Sequence, residues 1–117
     1  MAIDLGGGFY TNSAFENNIV VQNSGTITNL GSGVSGVMTF SHNNWSKAPS
    51  TSSKGSGDIT GDPKLIGGAL SPTYFVLQPS SPVIDKGMTM TGITVDYFGT
   101  VRPQGTAYDM GAYEALP

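Results

Sequence analysis

The 117-residue sequence contains no cysteine, few charged residues and no long apolar run. Without cysteine, the chain can form neither disulfides nor thiolate metal sites. Charged residues make up 11% of the chain, against about 25% in an average globular domain. The five Lys and Arg residues are scattered, so no basic patch favours nucleic-acid binding. No apolar run reaches the roughly 18 residues of a membrane span, and the sequence predicts neither nucleic acid nor membrane as a partner.

Helical periodicity is also missing, since Gly or Pro interrupts every stretch that could place apolar residues on one helix face. Seventeen glycines punctuate the chain, and between them lie short runs rich in β-branched and aromatic residues. These runs are residues 18–22, 25–28, 36–40, 74–77 and 93–95. The pattern predicts an all-β domain with very short strands.

Two of these regions look like copies of one unit. Residues 16–20 and 41–46 each place an Asn-Asn pair before a large apolar residue, with Asn17 and Asn43 about 26 residues apart. A repeat of this length is typical of solenoids, in which each coil stacks on the next through parallel strands. We therefore expect a short parallel β-helix of about two coils, with a ladder of Asn amides between them.

The composition divides the single domain 1–117 into three parts. Residues 1–46 contain the coil-like units, residues 47–61 are rich in Ser and Gly, and residues 62–117 contain a dense series of turn-forming residues. Residues 47–57 contain no apolar side chain larger than alanine. Because such a segment has little to bury, the sequence predicts an exposed loop there.

The last half of the chain carries a dense series of turn-forming motifs. They are Asp62-Pro63-Lys64-Leu65, Ser81-Pro82-Val83-Ile84-Asp85-Lys86-Gly87, Asp96-Tyr97-Phe98-Gly99, Arg102-Pro103 and Asp109-Met110-Gly111-Ala112-Tyr113-Glu114. In this order, with Tyr74 to Leu77 after the first motif and over residues 57 to 114, the series resembles the C-terminal end of bacterial right-handed parallel β-helix proteins. These belong to the pectate-lyase-like superfamily, and the ending resembles the choice-of-anchor Q type.

This resemblance implies a position in a protein more than an activity. Relatives include polysaccharide lyases, glycoside hydrolases and adhesins with many more coils, whose active sites lie on central coils that residues 1–56 do not supply. We expect a non-catalytic C-terminal β-helix and cap domain of a polysaccharide-active protein, with contact to polysaccharide. The alternatives are a stand-alone carbohydrate-binding module and a fragment of a polysaccharide lyase or glycoside hydrolase.

The resemblance also implies a secreted or cell-surface location. The segment Met1 to Asp4 has neither a basic start nor an apolar run, so the sequence predicts no signal peptide at this end. A short β-helix exposes its N-terminal coil, and we therefore expect self-association through that coil.

Aromatic residues are the best candidates for binding. Trp45 or Tyr97 could form a platform on which a sugar ring stacks, with Asn43 and Asn44 beside the indole to bind hydroxyl groups. The alternative for Trp45 is a place in the coil interior, one coil after Ile19.

Carboxylates give a second group of candidates. Asp58 and Asp62 flank a short Gly-containing segment and could hold calcium together with backbone carbonyls, although the spacing lacks the other ligands of an EF-hand. The aspartates of the closing motifs are expected to be turn residues that accept hydrogen bonds from nearby backbone N–H groups. Arg102, the only arginine, is expected to bind carbonyls or a carboxylate and to fix the cap. The sequence therefore predicts no catalytic residue.

Overall fold

The computed structural model describes residues 1–7, 10–31, 34 and 37–117 of the chain. These residues form two compact units, Met1–Asp62 and Pro63–Pro117. The regular elements are short strands and two 3-10 helices of three and four residues, so the β-rich class predicted from the sequence is confirmed. In the described ranges no helix is both long and apolar enough to cross a membrane.

The first unit contains short strands that the chain visits in a repeating order. A first strand set consists of β1 (Ile3–Leu5), β2 (Ala14–Glu16) and β3 (Ile19–Val20). A second strand set consists of β4 (Thr28–Leu30), β5 (Thr39–Ser41) and β6 (Asn44–Trp45). A 3-10 helix (Thr51–Ser53) and strand β7 (Ile59–Thr60) follow.

Every pairing between these strands is parallel, and the register repeats. Ile3 pairs with Thr28, Ala14 with Thr39, and Ile19 with Asn44, so each pair of sequence positions differs by the same 25 residues. Strand β7 then adds to the other edge of β6, with Ile59 opposite Asn44. The second strand set thus lies directly beside the first in three separate places.

This register corrects the repeat read from the sequence by one residue. The predicted 26-residue spacing would align Asn17 with Asn43, whereas the structure aligns Asn18 with Asn43 and pairs Trp45 with Val20 rather than with Ile19. A shift of one residue exchanges the two faces of a strand. Burying Trp45 beside the first strand set therefore requires the 25-residue spacing.

The apolar core of the first unit is built mainly by the second strand set. Ile27, Phe40 and Trp45 are buried and in mutual contact. From the first strand set, Phe15 packs on this cluster, with its ring 5.8 Å from those of both Phe40 and Trp45. Apolar side chains at matching positions therefore stack from one strand set to the next.

The expectation of an exposed loop over residues 47–61 holds for more than half of these residues, and three features depart from it. The Ser53 side chain is fully buried, and its hydroxyl lies 2.8 Å from that of Thr28. A Cβ atom on Gly55 would overlap the backbone carbonyl of Phe40, and Ile59 begins strand β7. Small polar residues pack here through hydrogen bonds and close backbone approach, so the lack of apolar side chains does not leave the segment unpacked.

The second unit has little regular structure. Its backbone is joined by isolated antiparallel bridges such as Leu65 with Leu77 and Gly87 with Tyr108. The predicted strand over 74–77 is wrong in its first half, because Pro72–Phe75 is a 3-10 helix with proline in its first turn, a position that proline favours. The buried apolar residues of this unit are Leu77, Val83, Tyr108, Met110 and Tyr113.

A hairpin lies near the end of the second unit, between Thr94 and Arg102. Val95 bridges to Val101 in antiparallel orientation, and the N–H of Arg102 donates to the carbonyl of Thr94 at 2.9 Å. The turn closes where the Asp96 N–H donates to the Thr100 carbonyl at 2.8 Å.

The predicted strand over residues 36–40 includes Gly36, which lies outside the described residues.

Candidate functional site

A stack of three polar side chains runs across the strand sets of the first unit. The Asn43 side-chain oxygen accepts hydrogen bonds from the backbone N–H and the amide of Asn18, at 3.0 and 3.1 Å. Asp58 in turn accepts from the backbone N–H and the amide of Asn43, at 2.8 and 3.4 Å. The predicted Asn ladder is therefore present, with Asn18 in place of Asn17 and a carboxylate as its last member.

Trp45 lies next to this polar stack and is fully buried. Its indole N–H donates to the second oxygen of Asp58 at 2.8 Å. Asn43 and Asn44 are also fully buried, and the Asn44 amide donates to the Gly61 carbonyl at 3.2 Å. A buried ring offers no face to a sugar, so the structure places Trp45 in the core and leaves Tyr97 as the exposed member of the predicted sugar-binding set.

The two residues suggested for calcium have different environments. Asp58 is half-buried, and both of its oxygens accept hydrogen bonds from Asn43, Trp45 and Gly55. Asp62 is exposed at the end of the first unit. Within the part of the chain that the structure describes, no three His, Cys, Asp or Glu side chains are grouped closely enough to hold a metal ion. Calcium binding stays a prediction from the sequence.

In the second unit, Arg102 lies at the centre of a buried polar network. Its guanidinium donates to the carbonyls of Asp109 and Gly111 at 3.0 and 2.9 Å. Its Nη1 also lies 3.5 Å from Oε2 of Glu114, in an ion pair whose side chains are only 6% and 1% exposed. The prediction that Arg102 binds carbonyls or a carboxylate is therefore confirmed.

The carboxylates around Arg102 all accept hydrogen bonds from the backbone. Asp109 accepts from the N–H groups of Asp85 and Ala115, each at 2.7 Å. Asp85 accepts from the N–H of Ala107 at 2.9 Å. The prediction that these aspartates accept from backbone N–H groups is confirmed, but the bonds between Asp85 and Ala107 and between Asp109 and Asp85 join residues 22 and 24 positions apart rather than neighbours in one turn.

Two of these carboxyl groups have pKa values moved in opposite directions. Burial raises the pKa of Glu114, and this outweighs hydrogen bonds from the N–H groups of Gln104 and Asp109. Partial burial alone would also raise the pKa of Asp96. However, its hydrogen bonds from the N–H groups of Glu114, Thr100 and Phe98 prevail, and the pKa of Asp96 lies below its ordinary value.

The hairpin turn after Asp96 presents an aromatic surface. Tyr97 and Phe98 are 67% and 56% exposed, and their rings lie 5.6 Å apart in an edge-to-face arrangement. Behind them lies the buried Tyr113, whose ring is 4.7 Å from that of Phe98 and 5.6 Å from that of Tyr97. We call Tyr97 and Phe98 the aromatic pair.

Hydrogen bonds hold the aromatic pair in place. The Asp96 carboxylate accepts from the backbone N–H groups of Phe98 and Thr100, both at 2.8 Å. The Tyr97 N–H donates to the Ala112 carbonyl at 2.9 Å, and the Tyr113 hydroxyl donates to the Pro72 carbonyl at 2.6 Å. The two exposed rings thus project from a turn whose backbone is fixed.

Among the aromatic residues of the sequence, Tyr97 was selected for binding, and the structure adds Phe98 beside it and Tyr113 behind it. An available signal was the aspartate before the two aromatic residues with a glycine after them, Asp96 to Gly99. Asp in this position commonly binds the backbone N–H two residues later and closes a turn. Such a turn brings both aromatic residues to the tip of one hairpin.

Comparison with known proteins adds no identity to this geometry. No protein-family model, no curated protein sequence and no solved structure matches the chain.

Proposed function

We propose that the chain is a C-terminal domain of a bacterial, secreted or surface-located polysaccharide-active protein, and that it has no catalytic activity of its own. Residues 1–46 would form about two coils of a right-handed parallel β-helix. Residues 62–117 would form the terminal coil and cap, which protects the end of the coils from edge-to-edge association.

The observation that carries this proposal is the common 25-residue register of three parallel strand pairs. A single such pair is compatible with many folds. Three pairs with one spacing require that the chain return to the same three places after the same length, which is how stacked coils are built. Strand β7 continues the stack on β6.

The non-catalytic part of the proposal follows from the use of the carboxylates. A glycosidase needs two carboxyl groups about 5–10 Å apart across a cleft that is open to sugar. Five of the eight carboxylates accept hydrogen bonds from backbone N–H groups of their own unit, namely those of Asp58, Asp85, Asp96, Asp109 and Glu114. Residues committed to the backbone are poorly placed to exchange protons with a substrate.

Two experiments test this proposal. The full chain, incubated with pectic, alginate and xylan polymers with and without calcium, should release neither unsaturated products absorbing in the ultraviolet nor new reducing ends. Either product would restore the lyase or hydrolase alternative. A chain that ends after Asp62 should form larger species than the full chain in light scattering, because the cap is gone. A monomeric, folded 1–62 chain would contradict the capping role.

A second candidate function is carbohydrate binding, and the aromatic pair favours it. Sugar rings pack their apolar faces on exposed aromatic rings, and here the rings are held by a fixed turn, so little ordering is required on binding. In residues 87–117 the only basic residue is Arg102, which is buried and engaged. The Asp96 carboxylate, which accepts from the Phe98 N–H directly at the aromatic pair, disfavours anionic polymers, so the candidate ligand is a neutral glycan.

Titration calorimetry with xylan and pectate oligosaccharides tests this candidate. Binding of the neutral xylan oligosaccharide that Tyr97→Ala weakens at least about tenfold would support it. Phe75→Ala is the matched control, since Phe75 is an exposed aromatic residue in a different segment of the same unit. No heat with either ligand, or equal loss in both variants, would exclude the aromatic pair as the binding surface.

Self-association through the first strand set, expected from the sequence, is not part of the proposal. Residues 1–25 contain two acidic residues and no Lys or Arg, so two copies of this set would meet with like charges opposed. Sedimentation of the full chain over a wide concentration range should show a monomer, and association that grows with concentration would contradict this.

A further inference from the structure

In the part of the chain that the structure describes, no apolar side chain of the first strand set is fully buried. Leu5 and Phe15 of this set are partly buried, as is Leu30 of the second set, whereas Phe40 and Trp45 of the second set, and Ile27 directly before it, are buried. Among the described residues, strands β1, β2 and β3 are each paired on one edge alone. We call this uncovered side of the first strand set the open face.

Hydrogen bonds between the two strand sets show which side chains lie opposite the acidic residues of the first strand set. Asp4 accepts from the Asn29 amide at 3.1 Å, and Glu16 accepts from the Ser41 hydroxyl at 3.3 Å. In both cases an acidic residue lies in register with a neutral hydrogen-bond donor. The strand sets therefore avoid placing like charges opposite one another, which destabilises neighbouring strands.

The stack of Asn18, Asn43 and Asp58 also indicates a neighbour that donates hydrogen bonds. Asn43 accepts from Asn18 one strand set earlier, and Asp58 accepts from Asn43 one step earlier. Each member thus receives hydrogen bonds from the member that precedes it. Asn18 is the first member of this stack in the chain, and a preceding residue with a backbone N–H and a side-chain amide would continue it.

We infer that the open face binds a further parallel β-coil with a defined pattern of side chains, an inference that rests on the proposed coil architecture. That coil places apolar residues over Phe15 and its neighbours and an asparagine over Asn18. Over Asp4 and Glu16 it places neutral hydrogen-bonding residues rather than carboxylates.

The charge of the open face favours such a coil over a second copy of the open face as the partner. Residues 1–25 contain two acidic residues and no Lys or Arg. Two open faces packed against each other would bring Asp4 and Glu16 of both copies into one interface, where like charges repel. A coil that resembles the second strand set meets the open face through the same contacts that the second strand set already makes on its other side.

Two extended chains test the inference. One carries an additional copy of residues 26–50 directly before Met1 of the full chain, which at a 25-residue spacing places Asn29, Ser41 and Asn43 of the copy over Asp4, Glu16 and Asn18. The matched control carries an additional copy of residues 1–25, which places an acid over each acid. The measurement is the rate of limited proteolysis within the extension at neutral pH.

Proteolysis of a locally open segment follows the population of its open form. We expect the 26–50 extension to be cleaved about tenfold more slowly than the 1–25 extension, as two like-charge pairs are avoided. Asp4→Asn combined with Glu16→Gln in both copies of the control should recover most of this protection. Equal cleavage of the two extensions, or no recovery in the neutralised control, would overturn the inference.

Failure of the inference can be told apart from failure of the proposed function. Hydrogen exchange at the amides of Asn44 and Ile59, which donate across the existing strand pairs, reports on the coils themselves. If both extensions are cleaved rapidly while these amides stay protected, the open face has no such partner and the coil architecture stands. If these amides exchange freely in the full chain, the coil architecture is wrong as well.

Discussion

In the first unit, backbone N–H groups are paired mostly with carbonyls of a neighbouring strand set, as when Asn44 donates to Asn18 and Ser46 to Val20. In the second unit, many N–H groups are paired instead with carboxylates. Asp96 alone accepts from those of Phe98, Thr100 and Glu114. Both arrangements meet the requirement that buried backbone groups be hydrogen-bonded.

The comparison shows why repetition and irregularity occur in one short chain. A strand set can pair its backbone only if another strand set lies beside it. Where no strand set follows, the backbone groups need acceptors from side chains, and short Asp residues at turns supply them. The second unit is therefore irregular in backbone but well hydrogen-bonded, and Arg102 balances the negative charge that its carboxylates bring.

The largest expected effect comes from removing that balance. Arg102→Met leaves the buried Glu114 carboxylate and the carbonyls of Asp109 and Gly111 without the guanidinium. Breaking a buried pair in this way costs about 3–5 kcal/mol of unfolding free energy, measurable by urea denaturation. Lys86→Met, at an exposed lysine of the same unit, is the control. A loss no greater than that of the control would show that the second unit does not depend on Arg102.

The corresponding change in the first unit should cost less, because Asp58 is only half-buried and its substitution leaves no buried partner charge, unlike that of Arg102. One oxygen of Asp58 accepts from Trp45 and Gly55, and the other accepts from Asn43. Asp58→Asn replaces one of these two acceptors by an NH₂ group, which donates. We expect a loss of about 1–3 kcal/mol in unfolding free energy. Asp62→Asn, at an exposed position, should change it by less than about 0.5 kcal/mol.

The same two variants test the calcium prediction. If calcium binds at Asp58 and Asp62, adding it should raise the melting temperature of the unsubstituted chain, and both substitutions should abolish the rise. An unchanged melting temperature with calcium would leave Asp58 with its hydrogen-bonding role alone.

A smaller effect is expected from pH, and it should have opposite signs at two carboxyl groups of the second unit. The pKa of Asp96 is lowered below 3.8 in the fold, so its contribution to stability is present above the unfolded-state pKa and is lost as pH falls through the folded-state pKa. The pKa of Glu114 is raised above 4.5. Its contribution is present below the unfolded-state pKa and is lost as pH rises through the folded-state pKa.

Urea denaturation at several pH values between about 3 and 7 separates these contributions. Asp96→Asn should flatten the gain of unfolding free energy as pH rises from the acid end. The stability that Glu114 contributes is lost as pH rises, and the Glu114→Gln variant should not show this loss. The unfolding free energy of this variant should therefore rise relative to that of the unsubstituted chain as pH rises. Parallel pH profiles for the two variants would contradict the assigned directions.

The smallest effect is expected at the aromatic pair. Tyr97→Ala removes a ring that is mostly exposed and should change the unfolding free energy by less than about 0.5 kcal/mol. Phe98→Ala should cost more, since the Phe98 ring packs closer to the buried Tyr113. If Tyr97→Ala destabilises the chain as much as Phe98→Ala does, the Tyr97 ring has a structural role and is not kept exposed for binding.

The sequence was sufficient to predict the features that depend on local chemistry. Short β-branched runs between glycines indicated a β-rich chain, and the Asp and Arg residues of the closing motifs were correctly predicted to bind backbone groups. It was also sufficient to suggest a repeat, because Asn-Asn pairs are conspicuous. The spacing was wrong by one residue, since either Asn of a pair can be aligned by eye and only packing distinguishes them.

The remaining errors have one physical origin. The burial of Ser53 and the close approach at Gly55 depend on residues that lie in other strand sets, and composition does not reveal them. For Trp45, the sequence left a sugar platform and a core position open, because an indole suits both. Its pairing with Val20 and its hydrogen bond to Asp58 decide between them.

The measurement that tests the central claim most directly is a cross-link across the 25-residue register. The chain has no cysteine, so any pair introduced reports on its own geometry. Asp4 and Asn29 are in register and both exposed, and parallel neighbours lie close enough for a disulfide. The double variant Asp4→Cys with Asn29→Cys should oxidise rapidly to an intramolecular disulfide in the folded chain, whereas Asp4→Cys with Leu30→Cys, one residue out of register, should not. Equal oxidation of both pairs, or oxidation of the second pair alone, would contradict the stacked 25-residue coils.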